Sequence, residues 1–294
     1  MAYTKLNPRS TPGARLEEIS RGSAYRLLIP SGKADKYRLA QLDDYTQARR
    51  RSRFPHRFPL TLSLSARASS SSIPGTWGFG LWNDPFGLSL GFGGNPFRLP
   101  ALPNAAWFFG ASEENYLSFK GTANGGRVNG GVSIRTSSYS TTAAVSRPPA
   151  ANGFLAQAFR SPRFHTSLIL AGLALPFSRR TTRRLLRKVI EEDGINLHGR
   201  RSLAPADALE SAYYASVDVT QWHGYRLEWR EKQVSFEVDE ALVFESQVSP
   251  NPLLGLVIWI DNQYAAFTPE GRIGFGVLEN PEPAWLEIRD LEIG

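Results

Sequence analysis

A mostly-β sandwich of the two-sheet jelly-roll kind, carrying a helical insertion, is the fold class this sequence predicts. Three observations predict it. Short apolar runs alternate with polar residues at period two, turn-forming residues punctuate those runs, and helical periodicity is confined to one stretch. The 26 Gly and 20 Pro fall largely between the runs, which is how turn-rich β proteins read. With 294 residues and 41% hydrophobic content, the chain can bury a large core in a single sandwich.

Residues 1–22 read as a flexible N-terminal arm, polar and broken by Pro8 and Pro12. They hold no apolar h-region, so no secretory signal is expected and the expected location is cytoplasmic. The first part of the sandwich spans 23–136. Its strands are expected at 24–29, 37–41 and 60–68, the last with Leu60, Leu62, Leu64 and Ala66 on one face. A Ser-rich run and Pro74-Gly75 make a turn. The strand at 76–82 then carries Trp77, Phe79 and Leu81 on one face and Trp82 on the other. Residues 85–103, rich in Gly, Pro and Phe, read as a long structured loop, and further strands are expected at 105–111, 116–120 and 132–136.

Residues 137–200 read as an insertion. An apolar segment at 164–177 is too short to span a bilayer. After it, Thr182, Leu185, Leu186, Val189 and Ile190 recur at helical steps, with Ser178 as N-cap and Gly194 as stop. The second part of the sandwich, 201–294, is expected to hold strands at 216–219, 225–229, 233–238, 242–246, 254–260, 272–277 and 285–293.

The absence of cysteine excludes disulfides and thiolate metal sites. His56, His165 and His198 are scattered without metal-ligand spacing, no cofactor motif is present, and neither metal nor cofactor is expected. The formal charge is +7. It gathers in two knots, one at Arg49, Arg50, Arg51 and Arg53, the other at Arg179, Arg180, Arg183, Arg184, Arg187 and Lys188. Separate knots argue against a nucleic-acid groove, which needs a continuous basic stripe. The second knot, beside the apolar segment, suits an anionic membrane surface, a lid, or a packed helix with solvated arginines.

Trp222-His223-Gly224-Tyr225-Arg226-Leu227-Glu228-Trp229, followed by Val234-Ser235-Phe236-Glu237-Val238-Asp239, resembles the concanavalin A-like lectin/glucanase superfamily, in particular glycoside hydrolase family sixteen. There a W-H-x-Y-x-x-x-W strand leads into a hairpin ending in V-D-G. Here Glu240 stands where that glycine would be. Gly78-Phe79-Gly80-Leu81-Trp82 is similar to the family's strand entering the catalytic region. Trp285-Leu286-Glu287-Ile288-Arg289-Asp290-Leu291-Glu292-Ile293 is similar to its closing strand. The likeness covers roughly 23–120 and 217–294. It implies a concanavalin A-like jelly roll with a concave face that takes carbohydrate. The family's catalytic E-x-D-x-E or E-x-D-x-x-E strand would fall near 104–110, where no carboxylate occurs, so its chemistry does not carry over.

Seven tryptophans are candidate sugar-stacking platforms, because pyranose C–H faces pack on aromatic rings while neighbouring Asn or Asp orient hydroxyls. The same indoles serve as core. Trp82-Asn83-Asp84 and Trp259-Ile260-Asp261-Asn262, joined by Trp107, form the preferred ligand-binding set, as a pair opening onto one cleft. Asp84, Glu113, Glu114, Asp261 and His223 are the candidate acids and bases. Glu113 and Glu114 also read as a solvated turn, and His223 as a sheet residue. Three functions follow: a carbohydrate binder using the aromatic-lined concave face, a glycoside-hydrolase-like enzyme with non-standard acids, or a binder or enzyme acting on an apolar small molecule.

Overall fold

The computed structural model describes residues 5–85, 101, 103–117, 153–161, 209–267 and 273–294. Two seven-stranded antiparallel sheets make up the sandwich. Sheet A runs β1 (Asn7–Ser10), β4 (Leu39–Asp43), β14 (Gly255–Asp261), β6 (Thr76–Trp82), β7 (Ala105–Ala111), β9 (Gly153–Arg160) and β10 (Leu209–Tyr214). Sheet B runs β13 (Ala241–Ser246), β12 (Gln233–Val238), β11 (His223–Arg230), β5 (Leu60–Ala68), β17 (Ala284–Ile293), β3 (Ala24–Ile29) and β2 (Arg15–Ser20). A small third sheet orders β16 (Ile273–Val277), β15 (Gln263–Phe267) and β8 (Tyr116–Leu117), with β15 and β8 parallel. The jelly-roll sandwich expected from the sequence is therefore the fold. Among the described residues the only helix is a 3-10 turn at Arg51–Arg53, and none is long and apolar enough to cross a membrane.

Period-two patterning places the core. In β5, Leu62, Leu64, Ala66 and Ala68 are buried while Thr61, Ser63, Ser65 and Arg67 are half-buried. Sheet A answers with Phe79 and Phe108, which meet Tyr225 of sheet B at ring-centroid distances of 5.0 Å each. Phe108 also meets Phe236 at 5.3 Å. Trp77 and Trp229 belong to this inter-sheet core. The Trp229 indole N–H is satisfied there by Ser249 Oγ at 3.2 Å.

The outer face of sheet B is sealed differently. Arg289 lies over Trp222 (4.3 Å) and Arg67 between Trp222 (4.9 Å) and Trp285 (5.5 Å), with Arg26 over Trp285 (5.3 Å). Beneath the stack, buried Glu287 accepts from Arg26 Nε at 2.7 Å on one oxygen and from Arg67 Nε at 2.6 Å on the other. Trp222 and Trp285 are thus neither core residues nor part of the preferred site.

Several expectations are corrected. Asn7–Ser10 and Arg15–Ser20 of the supposed arm are strands: β1 pairs with β4 and β2 with β3. Their mixed polar composition marks edge strands, whose outer sides face water. Within the supposed insertion, 153–160 is β9, hydrogen-bonded between β7 and β10. It is apolar on both faces, so it shows no period-two contrast. The strand expected at 216–219 is a turn, in which Gln221 N donates to Asp218 O; the strand before it is β10. The strand expected at 37–41 is shifted to β4. The basic helix with Arg179, Arg180, Arg183, Arg184, Arg187 and Lys188, the apolar 164–177 segment, the strand at 132–136 and most of the 85–103 loop lie outside the described residues.

Candidate functional site

The outer face of sheet A, turned away from sheet B, carries a second apolar cluster built on Trp107, Trp259, Phe109, Phe159, Tyr45 and Phe54, with Trp82 packed against it. Strand register explains why these residues meet. Trp107 of β7 lies opposite Gly80 of β6, and Trp259 of β14 opposite Gly78. A Cβ on Gly80 would sit 2.5 Å from Ala106 O and from Trp107 Cα. A Cβ on Gly255 would sit 2.3 Å from the Tyr45 ring. The glycines thus hollow the middle of the sheet, and large rings fill the hollow.

Three indoles converge there. Trp82 and Trp259 stack at 6.0 Å with planes 5° apart, and Trp107 lies 6.1 Å from Trp82 and 5.7 Å from Trp259. Tyr45 closes on Trp82 edge-on at 6.2 Å. Trp107 and Trp259 are only 3% and 6% exposed, whereas Trp82 is half-buried and forms the accessible rim. Trp82, Trp107 and Trp259, set together from the sequence, are together in space.

The polar residues of the preferred set do not stay with one another. Thr76 pairs with Asp261 at one end of β6, and Trp82, which precedes Asn83 and Asp84, pairs with Gly255 at the other. Six strand steps separate these ends, about 20 Å at roughly 3.3 Å per residue. A two-carboxylate glycosidase needs its acids roughly 5–9.5 Å apart. Asp84 and Asp261 therefore cannot form such a pair, and the single cleft flanked by both polar groups is corrected to an aromatic centre with two separate polar ends.

At the first end, Asp261 Oδ1 accepts from Thr76 Oγ1 (2.8 Å) and from Gln263 N (3.2 Å), and Oδ2 accepts from the Tyr37 hydroxyl (3.1 Å). Thr76 Oγ1 in turn accepts from Trp259 Nε1 at 3.0 Å. Burial pushes the Asp261 carboxyl up to about 6, and its hydrogen bonds from Thr76, Gln263 and Tyr37 only partly offset it. Tyr37 is raised well above the usual phenol range, by burial first and then by the Asp261 charge. Asn262 is fully buried and ties backbone together. Its Nδ2 donates to Lys36 O and Leu278 O, and its Oδ1 accepts from Arg38 N.

At the other end, Asn83 Oδ1 accepts from Asn104 N, and Arg51 donates to the carbonyls of Asn83 and Asp84, each at 2.6 Å. Arg51, read as part of a charge knot, is a clamp on this loop. Asp84 is buried at a positive φ of 49°. Burial, then the charges of Asp84 and Asp43, raises the Tyr45 hydroxyl well above its usual range. Asp43 accepts from Gln41 Nε2, Thr46 Oγ1 and the backbone N–H groups of Tyr45 and Thr46.

Glu113 and Glu114 are exposed in the turn closed by Asn115 N on Ser112 O. His223 lies on sheet B, its Nδ1 2.6 Å from Asp239 and its Nε2 3.0 Å from Asp218 O, away from the aromatic face. Among the described residues no group of three His, Asp or Glu is placed to hold a metal ion.

Sequence reasoning missed Gln157, Tyr37, Thr76, Gln41, Asp43 and Tyr45. Gln157 had a signal, as the lone polar side chain inside the apolar run Phe154–Phe159. The other five gave none, because their roles depend on cross-strand partners.

No protein-family model and no curated protein matches the sequence. Solved structures with a similar course of chain include a putative beta-glucanase from Mycobacterium abscessus (11% identity, 100% of this chain and 94% of that one, TM-score 0.41). LamA from Zobellia galactanivorans, in complex with laminaritriose and laminaritetraose, is similar over 93% of this chain and 79% of that one (14% identity, TM-score 0.42). The binding domain of Botulinum Neurotoxin DC in complex with SialylT is similar over 99% of this chain but 42% of that one (7% identity, TM-score 0.38).

Proposed function

We propose that this chain binds a carbohydrate on the outer face of sheet A, with Trp82 as the ring on which a sugar stacks. The carrying observation is the convergence of Trp82, Trp107 and Trp259 on the face that does not pack against sheet B. Trp82, held parallel to Trp259, offers its partly exposed ring without having to be ordered on binding, which lowers the entropic cost. The proposed role is non-covalent binding, and the separation of Asp84 from Asp261 leaves no two-carboxylate route between that pair. The near-complete enclosure of Trp107 and Trp259 favours a second reading, a closed chamber for an apolar small molecule.

A glycan array, followed by titration of indole fluorescence with laminaritriose and laminaritetraose, tests the proposal. Trp82→Ala is expected to weaken binding about tenfold or more, and Trp222→Ala, on the opposite sheet, to leave it unchanged. Failure of the wild-type chain to bind any arrayed glycan, or equal binding by Trp82→Ala, would overturn it.

A further inference from the structure

Gln157 of β9 is fully buried directly across from Trp107 of β7 on the outer face of sheet A. Its orientation is decided by chemistry. The Trp107 indole N–H can only donate, and it donates to Gln157 Oε1 at 3.2 Å. The oxygen must therefore face the indole, which leaves Nε2, with two N–H groups, pointing away. Nε2 finds no hydrogen-bond partner among the described residues. On the same face, Phe159 and Leu155 flank Gln157 along β9 and Phe109 neighbours Trp107 along β7. A buried primary amide held by one end among apolar groups is costly unless an acceptor arrives.

From this we infer that Gln157 is the specificity-determining donor of the aromatic site, selecting a ligand that turns a neutral oxygen acceptor (hydroxyl, ring ether or carbonyl) toward β9. This rests on the reading of the outer face as a binding site and deepens it. A hydrocarbon ligand would leave the amide unpaired, and so would bind more weakly than an oxygenated molecule of the same shape. A neutral carboxamide gives no counter-charge for an anion, so the acceptor is uncharged. Trp107 acts as the positioning residue, fixing which atom of the carboxamide faces the ligand.

Two measurements test the assignment without needing the natural ligand. The first compares the thermal stability of ligand-free Trp107→Phe with that of Trp107→Phe/Gln157→Leu, because Gln157→Leu alone would also strand the Trp107 N–H that Oε1 satisfies. An unpaired amide predicts a Leu variant that is a few degrees more stable. A less stable variant would show the amide already satisfied by water or chain, and would overturn the assignment. The second uses a matched probe pair, 2-acetylnaphthalene and 2-ethylnaphthalene, read by indole quenching. The wild type should prefer the ketone roughly tenfold, and Trp107→Phe/Gln157→Leu, which leaves no stranded indole N–H to take the ketone, should lose that preference. Equal affinity for the two probes, or binding of neither, would also overturn it. The glycan array with Trp82→Ala fails or succeeds independently of both, so loss of the carbohydrate reading is distinguishable from loss of the Gln157 assignment.

Discussion

Replacing Asp261 by Asn probes a carboxyl of the aromatic face whose titration is shifted into an accessible range. Asp261 is 7% exposed, with its proton affinity raised from 3.8 to about 6, mainly by burial. For an acid, that direction means the folded state holds its proton more tightly than the unfolded chain does. Between pH 4 and 6 the native protein therefore binds more protons, and this group's contribution to stability falls as pH rises through that window. A shift of roughly two units corresponds to about 3 kcal/mol, fully lost above pH 6. Asp261→Asn removes the charge while keeping the shape and one acceptor for Thr76 or Tyr37. The variant should be more stable than wild type at pH 8, by up to about 3 kcal/mol less whatever the altered hydrogen bonds cost. Its stability should also lose this contribution to the pH slope between 4 and 6. Urea unfolding at half-unit pH intervals, followed by indole fluorescence, supplies both quantities. A variant whose slope matches the wild type, or that is less stable at pH 8 than at pH 5 by the wild-type margin, would refute the account of a desolvated carboxyl.

Two further substitutions test the frame that holds the site. Asp239 and Glu240, between β12 and β13, have φ of 49° and 66°, a left-handed pair that suits Gly at the second position. Glu240→Gly should stabilise by about 1 kcal/mol, read as a rise in thermal midpoint of roughly 2–4 °C; no change would mean that Glu240 makes a compensating contact. Glu287→Gln places an amide donor against Arg26 or Arg67 and removes the charge both guanidiniums share. It should cost about 2 kcal/mol in urea unfolding, and a loss below ~0.5 kcal/mol would show that the cation–indole stack holds without its carboxylate.

The architecture was legible where one face of a strand is wet. β5, β11 and β12 alternate cleanly, and the pattern of β6 already separated Trp77, Phe79 and Leu81 from Trp82, as the two apolar clusters do. β9 was illegible because Phe154, Ala156 and Ala158 face one way while Leu155 and Phe159 face the other, so both sides read alike. The gathering of Trp82, Trp107 and Trp259 was foreseen from sequence, but the fate of their polar neighbours was not. Adjacency in the chain put Asn83 and Asp84 beside one indole and Asp261 and Asn262 beside another. Antiparallel pairing of β6 with β14 then carried the two polar pairs to opposite ends of the strands. Glu240 in the hairpin likewise shows a turn taking a left-handed geometry without the residue that most easily adopts it.

Strand β17 is the last of the chain's strands, yet it lies inside sheet B, between β5 and β3, rather than at an edge. Its neighbours are drawn from more than two hundred residues away, as Glu287 opposite Arg67 and Arg26 illustrates. Without residues 284–293 sheet B would fall into two unjoined halves, β13-β12-β11-β5 and β3-β2, each with a bare hydrogen-bonding margin. Pairing over such sequence separations raises the contact order and with it the expected folding time. The clasp of Glu287 with Arg26 of β3 and Arg67 of β5 is the latch that closes this seam.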